Sequence, residues 1–470
     1  MKKEEKLEKK FSPLSVWALA FGCIIGWGAF VMPGETFLRN AGPMGTLLGM
    51  VISIVIMGII ALNYNYMVNR YPLAGGEFKY TRIVFGGKHS YICAWFLALA
   101  YILPISMNST ALALIGRNLL NNVFQVGFHY NVTGYEVYLG EVLLAIFAVC
   151  LFGYLCIRGV EFAGLFQVIL TIMLVFGVVV IGVGAIVSPK ASLENLYPLF
   201  PDTTKTSVLS SIFAIIIISP WAFFGFDTIP QVAEEFKFSP RKTKMIMLFS
   251  IVFGGFVYSI LNTVTASVIP DNYGSWVEYI EDASNLDGLI SLPTFYAAYE
   301  LLGKAGVFFI GIAVLAAVLS GIVGFYIATS RLLFSMSRDG VIPKWFGEVD
   351  SKYKTPRNAI VFLILISIAA PFFGRNALGW LVDMSSLGAL IGYGYTSAAT
   401  IKCAKEGKSI TFLIMGWIGV CLAVFFTILL LIPIPGLNCS LGKESYICLI
   451  AWTILGMFFY MKERKRIDLS

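Results

Sequence analysis

Gly22-Cys23-Ile24-Ile25-Gly26-Trp27-Gly28-Ala29-Phe30 stands in the middle of the first apolar run of the chain, 14–38. At a rise of about 1.5 Å per residue, such a run is long enough to cross a hydrocarbon core of about 30 Å. Glycines at 22, 26 and 28 fall at its centre, and glycine weakens a helix interior by about 0.5–1 kcal/mol against alanine. Clustered at half-depth, they let the backbone leave helical geometry and turn its N–H and C=O groups toward a ligand. Backbone of that kind survives in a membrane only where protein or a water-filled cavity satisfies it. Close helix packing also concentrates small residues and stays open as a reading of this stretch alone.

A second stretch built the same way tips the balance. In the run 207–235, residues 207–218 read as helix and are followed by Ser219-Pro220-Trp221-Ala222-Phe223-Phe224-Gly225-Phe226-Asp227. Proline inside a run removes one intrahelical hydrogen bond and clashes with the preceding turn, and Gly225 permits further unwinding. Pro33-Gly34 is expected to close the first run.

Composition places these stretches in a membrane. The chain is 58% hydrophobic and 13% charged, with 38 Phe against 2 His, and its apolar runs exceed 18 residues without the amphipathic period of a soluble helix. Twelve spans are expected, near 14–38, 45–69, 91–116, 138–157, 162–187, 207–235, 245–269, 305–334, 358–374, 379–401, 409–432 and 446–462. The first and sixth are the interrupted ones. Being five apart, they run in opposite directions. That is the trace of a 5+5 inverted repeat with a ligand held between two discontinuous helices.

The fold class is therefore an all-α polytopic membrane protein of twelve transmembrane helices. Its expected parts are a tail at 1–13, spans one to five at 14–187, spans six to ten at 207–402, two extra C-terminal helices at 409–462, and a tail at 463–470. The last two helices are assigned to packing or to homodimer contacts.

Lysine and arginine set the orientation. Of the 34, twenty-seven fall in 1–13, 70–90, 237–244, 331–357, 402–408, the segment after Met461 and at Arg158. Only Arg39, Arg117, Lys190, Lys205, Lys304, Arg375 and Lys443 fall on the other side. The positive-inside rule then puts both termini in the cytoplasm and the chain in the cell membrane. The net charge of +7 is an orientation signal, with no nucleic-acid partner implied. Met1-Lys2-Lys3-Glu4-Glu5-Lys6 reads as a charged tail, with no cleavable leader before the first span. The eight cysteines show no disulfide framework and no metal spacing, so no metal site and no cofactor is expected.

The residues expected to meet a small-molecule substrate follow from the breaks. The amides of Gly26, Trp27 and Gly28, with Ile24 and Ile25 beside them, would hold an anionic group at the positive end of a half-helix. Trp221, Phe223, Phe224 and Gly225 would face it from span six. In span three, Ser106, Asn108, Ser109 and Thr110 follow Pro104; they either face the cavity or hydrogen-bond between helices. Asp227 lies just past the second break, where a carboxylate on an intact helix costs about 2.5–3.5 kcal/mol. It is read as a gate, a proton carrier or a partner for a substrate amine, with capping of the inner half-helix as the structural alternative.

At these motifs the chain resembles the amino acid–polyamine–organocation superfamily, specifically its amino acid permeases, over roughly residues 14–402. The resemblance rests on the 22–28 stretch, on Tyr71-Pro72-Leu73-Ala74-Gly75-Gly76-Glu77-Phe78, on Gly225-Phe226-Asp227 through Ala233-Glu234-Glu235, and on Ser330-Arg331-Leu332-Leu333 through Met336-Ser337-Arg338-Asp339-Gly340. It implies alternating access, with the substrate carboxylate at the span-one break and its amine and side chain near the span-six break. It also implies that Trp221 stands where arginine/agmatine exchangers carry a stacking tryptophan, and that Asp227 matches their acidic residue below it. Two departures matter. Trp27 replaces the serine usual between the span-one glycines, and the segment after Gln167 has Leu174 where proton-coupled members often carry lysine. The sodium site of sodium-coupled relatives would fall on Gly22, Ile25, Ala317, Ser320 and Gly321. Coupling to H+, to Na+ or to a counter-substrate all stay open.

The function expected is secondary transport of an amino acid or related amine by alternating access, as symporter or exchanger. The alternative is an amino-acid-binding membrane sensor without net transport. An enzyme would need His, Cys or paired carboxylates at depth, and His89 and His129 lie in or near loops, so none is expected.

Overall fold

The computed structural model describes residues 7–119, 123–132, 134–201, 207–374, 376–434 and 440–469. Of the positions named above, Met1 to Lys6, Lys205, Arg375 and one of the eight cysteines, Cys439, lie outside them. Among the described residues, eight helices are long and apolar enough to cross a membrane: Gly28–Arg70, Gly87–Arg117, Leu139–Ile157, Glu161–Val187, Pro240–Ser267, Lys304–Arg338, Ile410–Leu431 and Lys443–Arg464. The protein is mainly helical and multi-pass. The remaining expected spans fall on segments that are shorter or interrupted, Pro13–Ile24, Val208–Ile217 and Arg357–Phe373, and on the more polar helix Asn376–Glu406.

Burial ranks the helices by position. The most apolar stretch of Gly87–Arg117 is 78% buried, whereas that of Lys443–Arg464 is 11% buried, so the former is central and the latter peripheral. Outward faces carry Ile186, Leu209, Phe308, Met457 and Met461, all well exposed. Apolar residues face outward because the surrounding solvent is hydrocarbon. The main apolar core runs through the interior, from Phe21 and Ile25 through Phe224 and Phe226 to Phe325 and Tyr393, with smaller clusters around Trp276 and around Phe334.

Both expected breaks are present. The first helix, Pro13–Ile24, starts at Ser12, whose hydroxyl accepts the Ser15 amide, and stops where Ile25 becomes extended (φ −93°, ψ 90°). Helix resumes at Gly28. Pro33-Gly34 does not close this run. A π-helical turn, Pro33–Phe37, carries the backbone on, and the chain turns at Gly42 (φ 68°) before Pro43. Proline at the start of a turn costs no hydrogen bond that the turn needs, which is why Pro33 is tolerated there. The second interruption lies later than the proline suggests. Val208–Ile217 is followed by a helical turn, Ser219–Ala222, with Pro220 in its first positions. The unwound stretch runs from Phe223 to Asp227, and helix returns only as the short turn Thr228–Gln231. Gly225 sits at φ 138°, a conformation that side chains rarely adopt.

The segment 270–300 forms short helices, Trp276–Asp282, Ala283–Asn285, Gly288–Ser291 and Pro293–Leu302. An antiparallel hairpin, His129–Val132 with Tyr135–Tyr138, precedes the fourth expected span and was not anticipated from the sequence.

Candidate functional site

The two breaks meet. A Cβ added at Gly225 would stand 2.7 Å from the Cys23 carbonyl carbon and the Ile24 amide nitrogen, so only glycine lets the two backbones approach this closely. Each half-helix ends with a carbonyl lacking its usual partner, and the two share the single proton of one hydroxyl. Tyr258 Oη lies 3.0 Å from the Ile24 carbonyl oxygen and 3.0 Å from the Ala222 carbonyl oxygen. Tyr258 comes from the helix Thr243–Ser267.

On the donor side the amides stay free. Ile25 N–H still donates to the Phe21 carbonyl at 2.9 Å. Among the described residues, the amides of Gly26, Trp27 and Gly28 have no acceptor, and the next one used is Ala29 N–H, to the Gly26 carbonyl. Three consecutive free N–H groups at a helix start form an anion-binding end.

These groups open on a small cavity of about 40 Å³ lined by Ile24, Gly26, Trp27, Gly28, Asn108, Trp221 and Phe224, among others, with Ser385 and Tyr258 as further polar residues. Among the described residues, no charged side chain lines it. Asn108 is held by its own amide, which donates to the Pro104 carbonyl at 2.9 Å. That leaves Asn108 Oδ1 buried without a partner, beside Gly26 and Gly321. Above Trp27 and Trp221, which line both spaces, lies a cavity of about 590 Å³ bordered by Glu35, Arg39, Ser210 and Asp383. The small cavity holds about one water, so a larger ligand requires its lining to shift.

The other expected site residues divide. Ile25 and Phe223 are fully buried and line neither cavity; Phe223 packs edge-on against Tyr258. Ser106 is buried away from both, its carbonyl taken by Ser109. Gly225 contributes the close approach rather than a lining surface. Asp227 lies beneath Phe224, whose ring stacks on Tyr101 and Phe325 with centroids 5.5 and 5.3 Å away. Its Oδ1 accepts the Gly225 N–H at 2.8 Å and its Oδ2 the Tyr101 hydroxyl at 3.0 Å. The carboxylate therefore ties the break to the third span instead of capping the following turn.

Of the proposed cation positions, Gly22 and Ser320 meet around an amide. Gln167 Nε2 donates to the Ala18 carbonyl at 3.3 Å, to the Ser320 carbonyl at 3.2 Å and to Ser320 Oγ. A Cβ at Gly22 would collide with both Ser320 Oγ and Gln167 Nε2. Ala317 is fully buried a turn earlier on the same helix, and Gly321 packs against Asn108.

The end of the molecule that carries most of the basic residues is sealed. Arg331 Nε pairs with Glu235 at 2.8 Å, both about 1% exposed, and Arg338 pairs with Glu234 at 2.9 Å. Lys79 and Arg82 both reach Asp339, at 2.5 and 3.2 Å. Burial draws the Lys79 ammonium below the ordinary lysine range, and Asp339 offsets part of that shift. The Lys10 and Phe11 amides donate to the Glu235 carbonyl, closing the seal from the N-terminal segment.

A multi-pass helical protein with paired helix breaks, an open cavity at one end and an ion-paired closure at the other has the build of a membrane transporter. Comparison with known proteins makes this specific: residues 11–459 match the family described as Amino acid permease, and the chain belongs to that family. Relatives include the branched-chain amino acid permease BcaP of Bacillus subtilis, 26% identical, covering 97% of this chain and 93% of the relative. The methylthioribose transporter of the same organism is 25% identical over 87% of this chain and 84% of its own length. The arginine/ornithine antiporter of Latilactobacillus sakei is 24% identical over 98% and 92%. Family membership makes this a transport protein, not an enzyme.

Sequence reasoning missed Tyr258 and Tyr101, and also Glu77, whose Oε1 lies 3.2 Å from the Tyr101 hydroxyl. Glu77 alone carried a signal, a carboxylate directly after the paired glycines Gly75-Gly76.

Proposed function

We propose that this permease is a twelve-span, inverted-repeat secondary transporter that moves a neutral amino acid with an apolar side chain, of the leucine, isoleucine and valine class, across the cell membrane. Both termini would lie in the cytoplasm, with the 590 Å³ cavity facing outward. The observation that carries this reading is the pairing of three free amides, at Gly26, Trp27 and Gly28, with a cavity lined by no charged side chain. The amides would take the substrate carboxylate. Asn108 Oδ1 and the carbonyl ends beside Tyr258 supply acceptors for its ammonium, and Met107, Phe224 and Phe325 supply the apolar wall.

A guanidinium or second ammonium on the side chain would find no anion there, because Asp227 is engaged beneath Phe224. The branched-chain permease among the relatives agrees with this choice. Sodium is not the coupling ion in this reading, since the Gln167 amide fills its place.

Transport then consists of stabilising the outward- and inward-open states differentially. The test is uptake of labelled leucine into proteoliposomes, with competition by isoleucine, valine, arginine, ornithine and methylthioribose. Saturable flux displaced by isoleucine and valine is the expected result. Displacement by arginine and ornithine alone would overturn the substrate class, and binding without flux would favour the sensor.

A further inference from the structure

Beneath the second break two carboxyl groups come together with no cation between them. Glu77, on the helix Gly76–Phe85, and Asp227 are both fully buried, and among the described residues neither takes part in an ion pair. The groups that face them are thiols, phenols and an amide. They are Cys23 from the first broken helix, Tyr64 from the second span, Tyr80 beside Glu77 itself, Cys93 and Tyr101 from the third, Gln231 from the sixth and Tyr393 from the tenth. The neighbouring basic residues are committed elsewhere, Lys79 and Arg82 to Asp339, Arg331 to Glu235 and Arg338 to Glu234.

The hydrogen atoms can be counted. Glu77 Oε1 accepts the Tyr64 hydroxyl at 2.9 Å, and Oε2 accepts Gln231 Nε2 at 2.5 Å. Asp227 Oδ1 accepts the Gly225 N–H. Tyr101 Oη stands between the two carboxyls, 3.2 Å from Glu77 Oε1, 3.0 Å from Asp227 Oδ2 and 2.9 Å from the Asp227 carbonyl oxygen. A phenol has one proton to give. With both carboxyls ionised, the oxygens around Tyr101 outnumber its proton and two like charges lie buried together without compensation, a costly arrangement. One added proton removes the second uncompensated charge and gives both carboxyls a hydrogen bond to the phenol: on Asp227 Oδ2 it donates to Tyr101 Oη, whose own proton goes to Glu77 Oε1, leaving only the Asp227 carbonyl without it. Glu77, with two further donors, is the member that stays ionised.

We propose that Glu77 and Asp227 form a one-proton site bridged by Tyr101, and that the proton it binds is the ion carried with the amino acid. This rests on the transport reading above. Asp227 accepts the amide of Gly225 within the second break, so occupancy of the site and the shape of the substrate pocket are mechanically linked. Glu77 follows a left-handed turn at Gly75 (φ 97°), where a Cβ would strike Ser335. Movement of the sealed end is thereby transmitted to the same carboxyl.

The test uses the full-length protein in proteoliposomes, with membrane potential clamped and labelled leucine as probe. An inward proton gradient is expected to raise wild-type accumulation, up to about tenfold per pH unit for one proton. Glu77→Gln and Asp227→Asn should each abolish the gradient-driven part, and Glu77→Asp should recover some of it, which a purely structural role would not require. Gradient-driven accumulation persisting in Glu77→Gln overturns the site. Wild-type leucine flux indifferent to the gradient overturns it too, while leaving the transport reading intact. Should no amino acid be moved, or should the variants not fold, infrared spectroscopy of the purified wild type decides. A protonated-carboxyl C=O stretch at neutral pH supports the site, and its absence overturns it.

Discussion

The indole of Trp221 lies across Gly28 so closely that a Cβ there would come within 2.6 Å of ring carbon Cη2. The contact sets the floor of the outer cavity, because Trp221 lines both it and the small space between the breaks. Gly28→Ala must push the indole aside or strain the backbone. Leucine uptake is expected to fall about tenfold, equivalent to about 1.4 kcal/mol, with the protein still inserted. Gly28→Ala combined with Trp221→Phe should recover part of the loss by removing the clashing ring. Initial uptake rates normalised to surface protein test this, and undiminished uptake in the single variant would mean that the indole is not a barrier.

Tyr258 offers a second handle, because one hydroxyl answers to both interrupted helices. Tyr258→Phe keeps the ring and its packing on Phe37 and Phe223 but strands the Ile24 and Ala222 carbonyls. Leaving a buried acceptor unsatisfied costs about 1–3 kcal/mol. The variant is expected to melt earlier in detergent and to bind leucine more weakly, the two losses appearing together. A lower melting point with unchanged leucine affinity would confine Tyr258 to a structural role.

How far these features could be read in advance depends on whether the signal is local. Glycine and proline act on the residues beside them, so the breaks near Gly26 and Gly225 were legible from the stretches themselves. The direction of error was local as well: Pro33 starts a π-helical turn where its missing N–H does no harm, and Pro220 opens a helical turn instead of ending one. Tyr258 and Tyr101 gave no such signal. A tyrosine in an apolar helix looks like core, and its farther partner lies 234 positions away in one case and 126 in the other. Gly22 and Ser320 lie side by side, yet the Gln167 side chain that fills their junction belongs to a different span. Only the packed arrangement shows that.

At the sealed end, Glu235 and Arg331 form a pair almost wholly removed from solvent. Removing one partner leaves the other charge buried, which costs about 3–5 kcal/mol. Glu235→Gln is therefore expected to lower the melting temperature sharply. The double change Glu235→Leu with Arg331→Met should be much milder, because it removes both charges and keeps volume. Thermal unfolding of the single and double variants in detergent measures the difference. Additive losses would mean that the two side chains are not coupled across this closure.

The Gln167 amide allows the ion question to be put without knowing the full substrate range. Its nitrogen presents hydrogens to the Ala18 and Ser320 carbonyls, at 3.3 and 3.2 Å, and to Ser320 Oγ. Rotating the amide would aim its oxygen at the same carbonyls, so the donor orientation is the one that these partners impose. A sodium ion needs oxygen ligands around it, and here the space between the first broken helix and the helix Lys304–Arg338 is taken up by hydrogen bonds. Replacing sodium by choline is expected to leave the initial rate of leucine uptake within about twofold of its value, a change too small to represent an ion-binding step worth 1.4 kcal/mol or more. A sodium-dependent rate or a rise in KM for leucine on removing sodium would show that Gln167 vacates this position during the cycle.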